Sequence, residues 1–159
     1  MAVLDHQFHP RFGVGLAAGS TWFSDDNRRD ILRSRWTFTL SEDQGWYLYT
    51  STRHYRNSEP YRRAYFSPAH FREAALGVMW KTAITDEVAI SANADMGRQY
   101  IDRDGQQLWH VGLYLSSRHR APVQWKVGFA ISKDHASALG GAAEDYRYTS
   151  AVASVRMPF

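Results

Sequence analysis

The chain has 159 residues, the size of one domain or a piece of one, and contains no cysteine, which excludes disulfides, Cys-ligated zinc and thiol catalysis. Its 19 Lys and Arg against 16 Asp and Glu give a net charge of +3. They are dispersed along the chain, so the basic stripe of a nucleic-acid-binding protein is missing. Aromatic residues make up 14% of the chain, yet the mean hydropathy is −0.49. No run approaches the ~18 apolar residues of a spanning helix, so any membrane crossing would have to be made by strands.

The opening Met1-Ala2-Val3-Leu4-Asp5 lacks the charged and apolar regions of a signal peptide. Residues 1–10 are expected to be a lead-in. From Arg11 onward, side chains alternate with the period of two that marks a strand, and they do so in eight segments. Between Arg11 and Phe23, Phe12, Val14, Leu16, Ala18 and Trp22 alternate with glycine and alanine. Between Ile31 and Leu40, Leu32, Trp36, Phe38 and Leu40 oppose Arg33, Arg35, Thr37 and Thr39. The segment from Gly45 to Tyr55 is ambiguous, because Trp46 and Leu48 compete with Tyr47 and Tyr49 for the apolar side.

The following segments are cleaner. Ala74, Leu76, Val78 and Trp80 oppose Glu73, Gly77 and Lys81; Val88, Ile90, Ala92, Ala94 and Met96 oppose Ser91, Asn93 and Asp95. Trp109, Val111, Leu113 and Leu115 oppose His110, Gly112 and Tyr114, and Val123 to Ile131 opposes Gln124, Lys126 and Gly128. The last segment runs from Tyr148 to the terminal Phe159. A strand that ends on an aromatic residue resembles the closing strand of bacterial outer-membrane β-barrels, where it acts as an assembly signal; Phe159 would have that role.

Transmembrane strands need ~9–11 residues with dyad alternation, which these segments satisfy. The connections can then be ordered by length. With Phe159 on the periplasmic side, Asp134–Glu144, Tyr100–Gln106, Arg56–His70 and Ser24–Asp30 would be the longer external loops. Arg118–Pro122, Ile84–Glu87 and Ser41–Gln44 would be short periplasmic turns. The fold class expected is therefore all-β: an antiparallel up-and-down transmembrane barrel of about eight strands, either closed by this chain or part of a larger one. A soluble calycin-like or avidin-like barrel would carry Lys and Glu on its outer face; here the polar face is rich in Gly, Ala, Ser, Thr and Asn.

The polar face also supplies the candidate site. Arg33, Arg35, Asn93, Asp95, His110, Tyr114, Gln124 and Lys126 would line a lumen, where Tyr rings stack on sugars and charges set the preference for a polymer. The plainer reading is interior ion pairing among Arg33, Arg35, Glu73, Lys81, Asp95, Lys126 and Arg156, which fills a narrow barrel. Catalytic patterns are thin: seven histidines show no zinc spacing, and no nucleophile elbow or phosphate loop occurs. His54, Ser58 and Glu59 form the nearest nucleophile cluster. No enzyme activity, metal or cofactor is expected; a lipid A-modifying enzyme using His54 is the third alternative.

Tyr65-Phe66-Ser67-Pro68, the strand containing Gly77, Met96-Gly97-Arg98-Gln99-Tyr100 and the terminal Phe159 together resemble the C-terminal barrel of exopolysaccharide export porins. These are the secretion proteins for cellulose and poly-N-acetylglucosamine, in which tetratricopeptide repeats precede the barrel. The resemblance implies passive passage of a polar glycan, an outer-membrane location with both termini periplasmic, and a role in biofilm formation by Gram-negative bacteria. The partners it implies are outer-membrane lipid and lipopolysaccharide, the barrel-assembly machinery, an exopolysaccharide and periplasmic export proteins, with no nucleic acid. Family barrels use about sixteen strands, so a small closed eight-stranded structural or adhesive protein is the alternative.

Overall fold

The computed structural model describes residues 1–62, 64–118, 123–133 and 147–157. They form a single antiparallel sheet of nine strands in sequence order: β1 (Ala2–His9), β2 (Phe12–Trp22), β3 (Arg28–Ser41), β4 (Trp46–Asn57), β5 (His70–Ala83), β6 (Val88–Ile101), β7 (Asp104–Ser117), β8 (Gln124–Lys133) and β9 (Arg147–Arg156). Each of the eight alternating segments became a strand. The ninth is β1, which lies in the expected lead-in and pairs with β2 from Ala2↔Ala18 to His9↔Phe12.

Register sorts the side chains into two faces. One cross-strand row runs Val14–Trp36–Thr50–Leu76–Met96–Trp109, and the row beside it runs Gly15–Arg35–Ser51–Ala75–Gly97–Leu108. Successive rows continue this alternation, giving an apolar face and a polar face. The ambiguous third segment is settled by its neighbours. Trp46 pairs with Trp80 and Leu48 with Val78 on the apolar face, so Tyr47 and Tyr49 point to the polar one.

The sheet is open. Its order ends at β1 and β9, each pairs with one neighbour, and every residue of both strands is exposed. This overturns the closed outer-membrane β-barrel, whether of eight strands or as a transmembrane porin. Strands span hydrocarbon only when closure satisfies every edge N–H and C=O. A lumen also requires closure, so the likeness to exopolysaccharide export porins and the passage of a glycan through the chain fall with it. The closed eight-stranded structural or adhesive alternative fails for the same reason. No helix of the described residues is long and apolar enough to cross a membrane.

The connections correct the expected ordering in part. The segment 58–69 is long, and 42–45 and 84–87 are tight. At the end expected to carry the longer loops, however, β6 and β7 are joined by Asp102-Arg103 alone, with Ile101 paired to Asp104. Asp102 takes φ 55°, a left-handed conformation that Asp tolerates better than most residues. In the 42–45 turn Gly45 has φ 69°, and a Cβ there would run into the Lys81 carbonyl, so only glycine fits. The connection after Lys133 and most of that after Ser117 lie outside the described residues, as does Phe159 with its assembly role.

Residues 58–62 and 64–69 fold onto one end of the polar face, and Tyr65-Phe66-Ser67-Pro68 fastens them there. The Tyr65 hydroxyl accepts from Asn27 Nδ2 at 2.7 Å, and the Phe66 carbonyl accepts from Arg29 at 2.5 Å. Ser67 accepts from Arg62 N–H through its hydroxyl at 2.7 Å and from Tyr61 N–H through its carbonyl at 2.6 Å. The Pro68 carbonyl accepts from Asn57 Nδ2 at 2.6 Å. Beneath the segment, Tyr55 stacks on Phe71 at 4.5 Å, and Arg29 sits 4.7 Å over the Tyr55 ring. Asn27 and Gln99 are 0% exposed and Phe71 is 1% exposed, so this end of the polar face is the core.

Candidate functional site

Beyond the fastened segment the polar face is open, and the residues there have a consistent arrangement. The row Thr37–Tyr49–Gly77–Asp95–His110–Ser132 crosses six strands. Gly77 has no side chain, so the Tyr49 ring lies across it and reaches two strands over. A Cβ on Gly77 would come within 2.5 Å of Tyr49 Cζ and 2.6 Å of Asp95 Cβ. The Tyr49 hydroxyl thereby donates to Asp95 Oδ2 at 2.6 Å. Asn93, in the next row, donates to the Tyr49 oxygen at 3.4 Å and lies 3.0 Å from His110 Nδ1. The same Nδ1 stands 3.4 Å from Asp95 Oδ2.

Electrostatics tighten the cluster. Tyr49 is only 3% exposed, and the Arg35 guanidinium lies 4.2 Å from its ring centroid. Burial, followed by the hydrogen bond to Asp95, pushes the Tyr49 phenol up to about 12, so it remains a donor at neutral pH. On the far side, Tyr114 lies over Gly112 and Gly128, where added Cβ atoms would meet its ring. Lys126 Nζ stands 4.0 Å from that ring's centroid, a cation–π contact.

Two clefts flank the cluster. One, about 350 Å³, is bounded by Asp5, Arg33, Arg35, Ser51, Arg53 and Glu73 over the small residues Gly15 and Ala17, with Arg53 paired to Glu73 at 2.6 Å. The other, about 510 Å³, is lined by Lys81, Ser116, Gln124, Lys126, Ser154 and Arg156.

All eight expected site residues therefore share the polar face. The structure joins Asn93, Asp95 and His110 directly, links Arg35 to them through Tyr49, and pairs Tyr114 with Lys126. Arg33 belongs to the first cleft and Gln124 to the second. They surround an exposed surface rather than a lumen. Sequence reasoning missed Tyr49 because its strand reads equally well in either register. It also missed Asp5, which it placed in a lead-in, and Arg53, which it left unassigned. The glycine at 77, placed opposite a tyrosine, was the signal for a side chain crossing a strand.

The cluster near His54 is not assembled. The Ser58 hydroxyl donates to Asn27 Oδ1 at 3.3 Å and accepts from Arg28 N–H at 2.9 Å, while His54 is in the row of Leu32 and Arg72. Among the described residues, no group of His, Asp and Glu could hold a metal ion. Compared with known proteins, the chain matches no family model, no curated sequence and no solved structure.

Proposed function

We propose that this protein is a binding sheet whose polar face holds a hydrated, hydroxyl-rich ligand of the glycan class. The observation that carries the reading is the Tyr49–Asp95–Asn93–His110 network, set beside Tyr114 and Lys126 on an open face. A carboxylate and an amide held side by side can accept from and donate to neighbouring sugar hydroxyls. Tyr114 offers ring surface to the apolar side of a pyranose. Tyr49 is too buried to touch the ligand and acts as a positioning residue for Asp95. The ligand rests on the surface, and the two basic clefts on either side extend the site along a chain-like molecule.

Calorimetric titration with soluble oligosaccharides of glucose and of N-acetylglucosamine tests the reading. Binding of either series, weakened about tenfold by Asp95→Asn with the circular dichroism spectrum unchanged, is expected. No heat with either series, or binding indifferent to both Asp95→Asn and Tyr114→Ala, would overturn it.

A further inference from the structure

The opposite face ends in a feature that glycan binding does not use. Arg72 on β5 pairs with Tyr100 on β6, and Arg98 lies two residues further along β6 on the same face. Diagonal neighbours on a sheet are about 7–8 Å apart, close enough for both guanidinium groups to reach one tetrahedral anion. Between them is a cleft of about 310 Å³, bounded by Arg72, Glu73, Ala74, Arg98, Tyr100 and Asp102, with the Glu73 side chain turned to the polar face and paired to Arg53 at 2.6 Å. The Asp102 carboxylate is occupied on both oxygens, accepting from His70 N–H at 2.7 Å and from the Tyr61 hydroxyl at 3.1 Å.

Charge on this face is distributed unevenly. Asp30 is the one carboxylate that the described strands place there, and it pairs with Arg28 at 3.2 Å and Arg56 at 3.4 Å. Arg72 and Arg98 are exposed and have no ion pair or hydrogen bond among the described residues, and Asp102, the nearest carboxylate on this side of the cleft, is engaged by His70 and Tyr61 rather than by either arginine. Their field extends to His54, the cross-strand partner of Arg72. Burial first, then Arg72, His70 and Arg56, hold that imidazole below its ordinary value.

Toward the sheet centre the chemistry changes within one row. Ala74 and Arg98 are followed by Leu76, 51% exposed, and Met96, 70% exposed, and beyond them lie Val78, Val111 and Leu113. A contiguous apolar surface of this extent is rare on a monomeric soluble protein. Next to these two exposed arginines, it complements a molecule with an anionic head and a hydrocarbon tail.

We infer that this end of the apolar face binds anionic lipid, with the head-group phosphate between Arg72 and Arg98 and an acyl chain along Leu76 and Met96. The two arginines supply attraction and register, and the apolar rows supply burial.

Vesicle flotation of the full chain tests the inference. The probes are phosphatidylcholine vesicles and vesicles in which one lipid in three is phosphatidylglycerol. The protein is expected to float with the anionic vesicles and far less with the neutral ones. Arg72→Gln with Arg98→Gln should weaken that binding about thirtyfold. Arg11→Gln with Arg118→Gln, at the other end of the sheet and with the same loss of charge, should change it only a few-fold. Met96→Ser in the wild-type background should also weaken it, since it removes acyl contact and leaves the charges in place.

Equal flotation on both vesicle types would overturn the inference, as would equal losses from the two double variants. If inorganic phosphate at matched ionic strength displaces the vesicles completely, the site takes a free anion and the lipid assignment fails. Oligosaccharide binding resides on the other face and should survive all these substitutions, so the two proposals can fail separately.

Discussion

The two ends of the polar face are built from the same strands and differ in what covers them. At the fastened end, the side chains of Asn27, Asn57 and Ser67 are buried where the segment 58–69 meets the sheet and hydrogen-bond inside the protein, while the buried Gln99 amide has no partner among the described residues. In the open centre, Asp95, Asn93 and His110 bond to one another but keep part of their surface free. Partner-satisfied burial makes an end rigid and contributes to stability. Partial satisfaction in the open leaves donors and acceptors for something else. The structure therefore divides its polar side into a region that holds the fold and a region that can hold a ligand.

The largest effect is expected where this division is deepest. Asn27→Ala removes the donor to Tyr65, the acceptor shared by Glu59 N–H and the Ser58 hydroxyl, and a side chain that is 0% exposed, so the segment loses three ties to the sheet and a cavity opens. It should destabilise by about 3 kcal/mol, read as a shift in the urea midpoint followed by tryptophan fluorescence. A shift no larger than that of an exposed loop variant would mean the 58–69 segment is not a structural fastening. Asp95→Asn should do the reverse, with stability within about 1 kcal/mol of wild type and loss of ligand affinity.

Gly77→Val joins the two regions. The new side chain would occupy the space of the Tyr49 ring and of Asp95 Cβ. We expect a destabilisation of about 2 kcal/mol from overpacking together with a loss of binding beyond that of Asp95→Asn. Retention of full affinity would show that Tyr49 does not position Asp95.

Smaller effects come from pH. The Tyr49 phenol is raised to about 12 in the fold against about 10 in the unfolded chain, so the folded state keeps a proton that the unfolded state gives up. Its contribution is complete below pH ~10 and is lost as pH rises through about 12. Tyr49→Phe should flatten the stability profile in that alkaline range. His54 has the opposite sign: its imidazole is held below the ordinary value, so its contribution is present above pH ~6.5 and lost on acidification. His54→Gln should reduce the acid sensitivity slightly; an unchanged acid limb would show that the cationic end of the apolar face leaves His54 undisturbed.

Much of the local structure was legible in the chain. The alternation of Val88, Ile90, Ala92, Ala94 and Met96 with Ser91, Asn93 and Asp95 predicts β6 and its two faces, because a strand exposes alternate residues to opposite media. Placing Arg33, Arg35, Asn93, Asp95, His110, Tyr114, Gln124 and Lys126 on one side needed no more than that parity. Tyr49 was not legible, since Trp46-Tyr47-Leu48-Tyr49 is large and aromatic in both phases. Only pairing with Val78 and Gly77 chose between them. The Tyr65-Phe66-Ser67-Pro68 segment was visible as a motif but was read as a family mark. Its work is done by hydrogen bonds to Asn27, Arg29 and Asn57, tens of residues away for the first two.

Sequence by itself determined where the strands lie and which side chains share a face, since both follow from a period of two along each segment. Tertiary structure decided whether the sheet closes, because closure depends on β1 meeting β9 and no local pattern encodes that encounter. It also decided that β1 exists, that Tyr49 reaches Asp95 across Gly77, and that two arginines on the apolar face stand side by side with no ion pair among the described residues. Each of these depends on which residues the register sets side by side, and register is a property of the assembled sheet.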